Sequence, residues 1–143
     1  MLKPTDQYEV TGKYKGLQYA VWFHDVQGFR CGYVEIPEDH PLYGKYFGDI
    51  EFNVVGLTFS GKIKHFDGWF IGWDHHHLWD GIDEEGIRKA HANLPENELE
   101  DILDYARSMA GEPYGIWSTT EDVEDECRQV IEEVLRLGQT SID

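Results

Sequence analysis

Cysteine is scarce in this chain of 143 residues: there are only two, Cys31 and Cys127, far apart in sequence. That number rules out the multi-bridge framework of a small secreted domain. No apolar signal segment follows the opening Met1-Leu2-Lys3-Pro4-Thr5, so both thiols are expected to be reduced and the chain cytoplasmic. Long apolar runs are missing as well, and nothing approaches the roughly eighteen residues that would span a bilayer. Basic residues are few, 12 against 28 acidic ones, for a net charge of −16. A field of that sign repels phosphate backbones and anionic lipid heads, which excludes direct binding to nucleic acid or to a membrane surface and favours partners with a basic surface. The phosphate-loop spacing G-x-x-x-x-G-K-[ST] and the nucleophile elbow G-x-S-x-G are both absent, leaving Thr58 and Ser60 without an acid-base partner.

Aromatic residues, by contrast, make up 14% of the chain, enough for Trp, Tyr and Phe to dominate the packing or line a concave surface. Up to about Trp73 the texture is that of β-structure. Tyr8 to Val10, Leu17-Tyr19-Val21-Phe23 and Arg30-Gly32-Val34-Ile36 alternate, Ile50-Phe52-Val54 and Leu57-Phe59 continue the pattern, and Trp69 to Trp73 supply a last aromatic strand. The segment Pro37 to Gly44 holds two prolines and a glycine and reads as an ordered loop.

The period changes after Asp83, a candidate cap for a short helix opening with Glu84 and Glu85. Asn93-Leu94-Pro95 opens a second helix, with Leu99, Ile102, Leu103, Ala106, Met109 and Ala110 as its apolar stripe and Gly111 as its stop. A capping box at Ser118-Thr119-Thr120-Glu121 starts a third, whose stripe is Val123, Cys127, Val130, Ile131, Val134 and Leu135 and whose end is Gly138. Cys127 lies in that stripe and is expected to be a buried, inert thiol. Strands followed by helices without βαβ alternation predict a single α+β domain over 1–143: an antiparallel sheet of about five strands within 8–74, then two or three helices within 83–137 packed on one face, and a frayed tail at 139–143.

The densest chemistry is the run Trp73-Asp74-His75-His76-His77-Leu78-Trp79-Asp80. Imidazole and carboxylate are ligands for divalent transition metals. On a turn Asp74, His77 and Asp80 share one face, so with His24 or His40 assisting they form a candidate site for zinc or manganese that would lower the pKa of a bound water. Hydrogen bonding of histidine to carboxylate at a structural junction accounts for the same residues without a metal. A second cluster, Arg30, Tyr33, Tyr43, Lys45 and Trp69, together with Lys62 and Lys64, would suit an anionic small molecule stacked on aromatic rings. The third feature is the acidic run Glu121-Asp122-Val123-Glu124-Asp125-Glu126. Residues 75–143 carry eighteen acids against five bases, against ten and seven in residues 1–74, so the excess sits in the helical half. Glu121, Glu124 and Asp125 are therefore candidate contacts for a basic host protein, although acids in the first turns of a helix are also favoured by its dipole alone.

Several segments carry a resemblance. Gly28-Phe29-Arg30-Cys31-Gly32-Tyr33-Val34-Glu35-Ile36-Pro37, His40-Pro41-Leu42-Tyr43-Gly44-Lys45, Gly56-Leu57-Thr58-Phe59-Ser60-Gly61, Gly68-Trp69-Phe70-Ile71-Gly72-Trp73-Asp74 with His77 and Asp80, and Val123-Glu124-Asp125-Glu126-Cys127 occur in that order. The arrangement resembles a family of small uncharacterised bacteriophage and prophage proteins with the motifs GYVxVP, HPLYG, GGLTYSG and WWFGFDxxHxxD. The resemblance implies a phage or prophage setting, hence the cytoplasm of a bacterial host, and a shared fold, but no reaction. The chain departs from the pattern at Phe29, where the family often has His, and at His75-His76, where it often has Cys and a small residue. The expectation is an accessory protein that binds a host protein or a small ligand without catalysis. The alternative is a metal-dependent hydrolase acting on a phosphate ester.

Overall fold

The apolar segments of the first half form five strands, β1 (Tyr8–Tyr14), β2 (Leu17–His24), β3 (Phe29–Ile36), β4 (Phe59–Gly61) and β5 (Trp69–Asp74), with burial alternating along β1 and continuous through the middle of β5. The computed structural model of the chain describes residues 3–140. All neighbouring strands are antiparallel, in the order β1-β2-β3-β5-β4. The two-residue turn Lys15-Gly16 joins β1 to β2 with positive φ at both positions, 49° and 88°, the backbone geometry that matches the twist of hairpin strands. A bulge between Tyr8 and Val10 shifts the register against β2 and swings Glu9 toward the face on which Val10 lies.

Three helices follow, α1 (Glu84–Ala90), α2 (Glu96–Met109) and α3 (Thr120–Thr140), which completes the α+β architecture read from the sequence. Asp83 caps α1 by accepting the Gly86 N–H. α3 opens on a reciprocal box in which Thr119 Oγ1 accepts from the Asp122 N–H and Asp122 Oδ2 accepts from the Thr119 N–H, so the acid partner is Asp122, not Glu121. Gly138 does not stop α3, which continues to Thr140. Of the expected frayed tail 139–143, positions 139 and 140 are helical and 141–143 lie outside the described residues.

α3 lies across the sheet, and Val123, Cys127, Val130, Ile131 and Val134 pack against Leu17, Tyr19, Val21, Val34, Ile36, Ile71 and Trp73. Burying each aliphatic side chain of this kind favours the folded state by about 1.5–3 kcal/mol, so this interface is the main core. The helix is also clasped along both flanks: Tyr19 donates to Glu124 (2.6 Å), Trp73 Nε1 donates to Glu126 (3.0 Å), and Lys15 pairs with Glu132 (2.7 Å). A smaller core forms where Phe23, on the same face of β2, meets Ile82, Ile87, Leu99, Ile102, Leu103 and Ala106 of the α1–α2 unit. Met109, expected in the stripe of α2, is instead half exposed (49%) at its end.

Ile50-Phe52-Val54 do not form a strand. Their side chains are half-buried against the main core, while Glu51 and Asn53 face out. The alternation is that of a strand, but the segment pairs with none of the five strands and lies against the main core instead of extending the sheet. The loop is held by His40, whose Nδ1 accepts from the Leu42 N–H (3.0 Å), leaving Nε2–H to donate to the Val134 carbonyl of α3 (2.6 Å).

Candidate functional site

The three consecutive histidines after β5 point in three directions: the chain leaves the sheet through bends at His75 and His77 and a turn at Leu78 and Trp79, so neither strand alternation nor a helical face aligns their side chains. His75 turns toward α3, where its Nε2 lies 2.7 Å from Glu126 Oε1. That hydrogen bond, outweighing partial burial, raises the His75 pKa above its ordinary value. His76 stacks on Phe29 (4.3 Å between centroids, 17° between planes), and His24 stacks on the other side of the same ring (4.8 Å). Burial lowers the His24 pKa, with the charge of Asp25 opposing. His77 lies flat on Trp79 (4.6 Å, 1°) and gives both its backbone N–H and Nδ1–H to Asp80 Oδ2 (2.9 and 2.8 Å).

Asp74 is occupied elsewhere, accepting from Thr58 Oγ1 (2.9 Å) and from the His76 N–H (3.1 Å). The expected trio therefore divides into the pair His77–Asp80 and a separate Asp74. His24 is committed to its stack and His40 to α3, so neither assists. Among the described residues no group of three or more His, Cys, Asp or Glu side chains is placed to hold a metal ion.

The expected anion site also divides. Arg30 is buried (side chain 7% exposed) and forms a bidentate pair with Glu9, Nε to Oε1 at 2.7 Å and Nη2 to Oε2 at 3.1 Å; its Nη1 reaches Asp83 Oδ2 (3.0 Å) and the Ser118 carbonyl (3.1 Å). Its guanidinium covers the ring of Phe23 at 4.5 Å. Burial works against the charge, but the hydrogen bonds and charges of Glu9 and Asp83 outweigh it and raise the pKa. Arg30 thus latches β1, β3, the cap of α1 and the approach to α3, and its donors are spent within the fold. Tyr33 projects from the opposite face of the sheet, as its register with Gly72 and Ala20 requires. Tyr43 and Trp69 meet in a third place, their rings 6.1 Å apart, and Lys45 is exposed.

The acidic run is split by the helix period. Val123 and Cys127 face the sheet, Glu124 and Glu126 are held by Tyr19, Trp73 and His75, and only Glu121, Asp122 and Asp125 face outward, Asp125 paired with Arg128 (2.6 Å). Glu124 is accordingly a clasp for α3 rather than an open contact.

What the fold does assemble at the junction is an apolar surface. Leu78, Trp79, Tyr114 and Ile116 are 79%, 67%, 81% and 89% exposed. They come from two loops whose backbones touch: the Gly81 N–H donates to the Ile116 carbonyl (2.6 Å), and a Cβ on Gly81 or Gly111 would run into Gly115 or Leu78. Glycine at 81 and 111 permits that approach. A cleft of about 280 Å3 opens beside the patch, walled by Glu84 and Glu85 on one side and by Pro113, Tyr114 and Trp117 on the other. A larger cleft of about 580 Å3, beside the Arg30 latch, shares Asp83, Glu85 and Trp117 with it.

No known family model, curated protein or solved structure matches the chain. The arrangement is thus read from its own chemistry: large apolar side chains held in solvent by a rigid junction, with carboxylates at the margin. Sequence reasoning passed over Leu78, Trp79, Tyr114 and Ile116. The available signal was that these apolar residues fall in glycine- and proline-bearing segments outside every strand or helix period, so no regular element can bury them. Among the described residues no helix is long and apolar enough to cross a membrane.

Proposed function

We propose that this chain is a phage- or prophage-encoded accessory protein that acts by binding, and that its partner is a host protein presenting an apolar centre ringed by lysine and arginine. The exposed group Leu78, Trp79, Tyr114 and Ile116 carries this reading. Large apolar side chains exposed on neighbouring loops mark interaction sites, and Trp and Tyr are the residue types that concentrate binding energy at interfaces. The surroundings set the sign of the partner. Glu85 walls the adjoining cleft beside Glu84, which is already paired with Arg107, while Glu112 lies within the loop and Glu121 and Asp122 follow it on α3. A basic rim on the partner complements these charges and accelerates encounter. The phage setting rests on the order of the sequence motifs.

The test is affinity capture from a bacterial host lysate with three immobilised proteins: wild type, Trp79→Ala/Ile116→Ser, and Glu85→Lys/Glu112→Lys/Glu121→Lys. A basic protein should be retained by the wild type, lost from the first variant and released from the second at lower salt. Removing one central aromatic anchor costs about 2 kcal/mol or more of binding, roughly thirtyfold in affinity. Both variants alter exposed side chains and should melt with the wild type. Retention of the same protein by Trp79→Ala/Ile116→Ser, or a captured protein that is itself acidic, refutes the proposal.

A further inference from the structure

On the face of the sheet turned away from α3, rings from four of the five strands, Tyr8, Trp22, Tyr33 and Phe59, line a cleft of about 370 Å3. β5 contributes Gly72 there. A Cβ at that position would lie 2.6 Å from the Tyr33 ring, so glycine lets the ring lie against the strand, edge to face with Phe59 (5.7 Å, 90°). The rims are fixed by their own hydrogen bonds: Trp22 Nε1 donates to the Thr5 carbonyl (2.6 Å) and the Tyr8 hydroxyl donates to the Lys64 carbonyl (2.8 Å). The cleft is therefore a preformed aromatic surface between two anchored segments.

Its charges do not cancel. Lys64 is neutralised across the rim by Asp6 (3.1 Å), whereas Lys62 has no carboxylate within ion-pair distance among the described residues. We infer that this cleft binds a small planar aromatic anion, with its ring system against Trp22, Tyr33 and Phe59 and its negative group on Lys62. The volume lies at the small end of ligand sites, suiting one or two fused rings. The net charge of −16 repels polyanions, which restricts the ligand to one of low charge. This site is separate from the junction patch and does not depend on the role proposed for it.

The experiment is a titration of 15N-labelled protein, followed by amide chemical shifts, with 1-naphthoate, with its neutral amide 1-naphthamide and with adenosine monophosphate. Saturable shifts confined to the neighbourhood of Tyr8, Trp22, Tyr33, Phe59 and residues 62–64 are expected for at least one of the two anions. A charge-assisted hydrogen bond predicts binding about tenfold tighter than that of the neutral amide, with the same loss in Lys62→Gln. Preference for adenosine monophosphate assigns the anion to a phosphate, and preference for 1-naphthoate assigns it to a carboxylate. Lys62 is exposed, so the variant should keep the wild-type spectrum elsewhere. The inference is overturned if neither anion saturates, if the shifts map to the junction patch, or if 1-naphthamide and Lys62→Gln bind as tightly as the anion and the wild type.

Discussion

Replacing Arg30 by methionine should cost the protein a large part of its stability, not a ligand. The substitution removes a guanidinium whose side chain is 7% exposed and leaves Asp83, equally buried, without its ion-pair partner. Glu9 is better solvated, with 26% of its side chain exposed, and recovers part of its loss from water. Taking one partner from a buried pair typically costs about 3–5 kcal/mol, because the remaining charge stays desolvated. Loss of the Ser118 contact and of the Phe23 cover acts in the same direction. Domains of this kind are stable by about 5–15 kcal/mol, so Arg30→Met should shift the urea midpoint strongly without abolishing folding. The decisive comparison is Arg30→Met/Asp83→Asn. Asparagine keeps a side-chain oxygen for the α1 cap while removing the stranded charge, so the double variant should be more stable than Arg30→Met, with a coupling of about 1–3 kcal/mol. Equilibrium urea unfolding of the wild type and three variants, followed by circular dichroism, measures the cycle. A cost below about 1 kcal/mol for Arg30→Met, or additive single costs, would refute the latch.

Other consequences follow from the same contacts. The raised pKa of His75 means that its bond to Glu126 contributes stability fully below the unfolded value of 6.5 and loses it as pH rises through the folded value; the melting difference between wild type and His75→Gln should therefore be larger at pH 6 than at pH 8.5, and an equal difference would remove Glu126 as the cause. Burial pushes both thiols, Cys31 and Cys127, up to about 12, so a thiol reagent at pH 8 should leave the native protein unmodified and titrate two groups in denaturant. Rapid native labelling would contradict the burial. Leu103→Ala empties a fully buried position in the smaller core and should cost about 2–5 kcal/mol. A single cooperative transition in that variant would mean that the α1–α2 unit unfolds with the sheet, whereas an early separate phase would mean that Phe23 and the Arg30–Asp83 pair do not couple them.

The legible parts of the molecule are those governed by near neighbours. β1, β2 and β3 follow from alternation, β5 from its run of aromatic and β-branched residues, and the α2 and α3 stripes from their three- and four-residue spacing, because each records a local preference of the chain. Ile50 to Val54 shows where that logic stops: the alternation is present, yet strand pairing is a tertiary contact that alternation does not specify, and these residues pack on the main core without joining a ladder. The histidine run shows the same limit at a site. Spacing alone let Asp74, His77 and Asp80 converge, whereas the bent chain after β5 takes His75 to Glu126 and His76 to Phe29.

By itself the sequence determined the order of strands and helices, the apolar faces, the acidic surface and the inert setting of Cys127, all of which depend on composition and local period. The tertiary structure decided what each polar side chain does. Arg30 became a latch because a bulge in β1 brought Glu9 to it, and Glu124 and Glu126 became clasps because α3 crosses the sheet at Tyr19 and Trp73. The junction patch exists because two glycine-bearing loops, distant in sequence, close on each other. Such meetings are set by the balance of packing over the whole chain, which no local window contains.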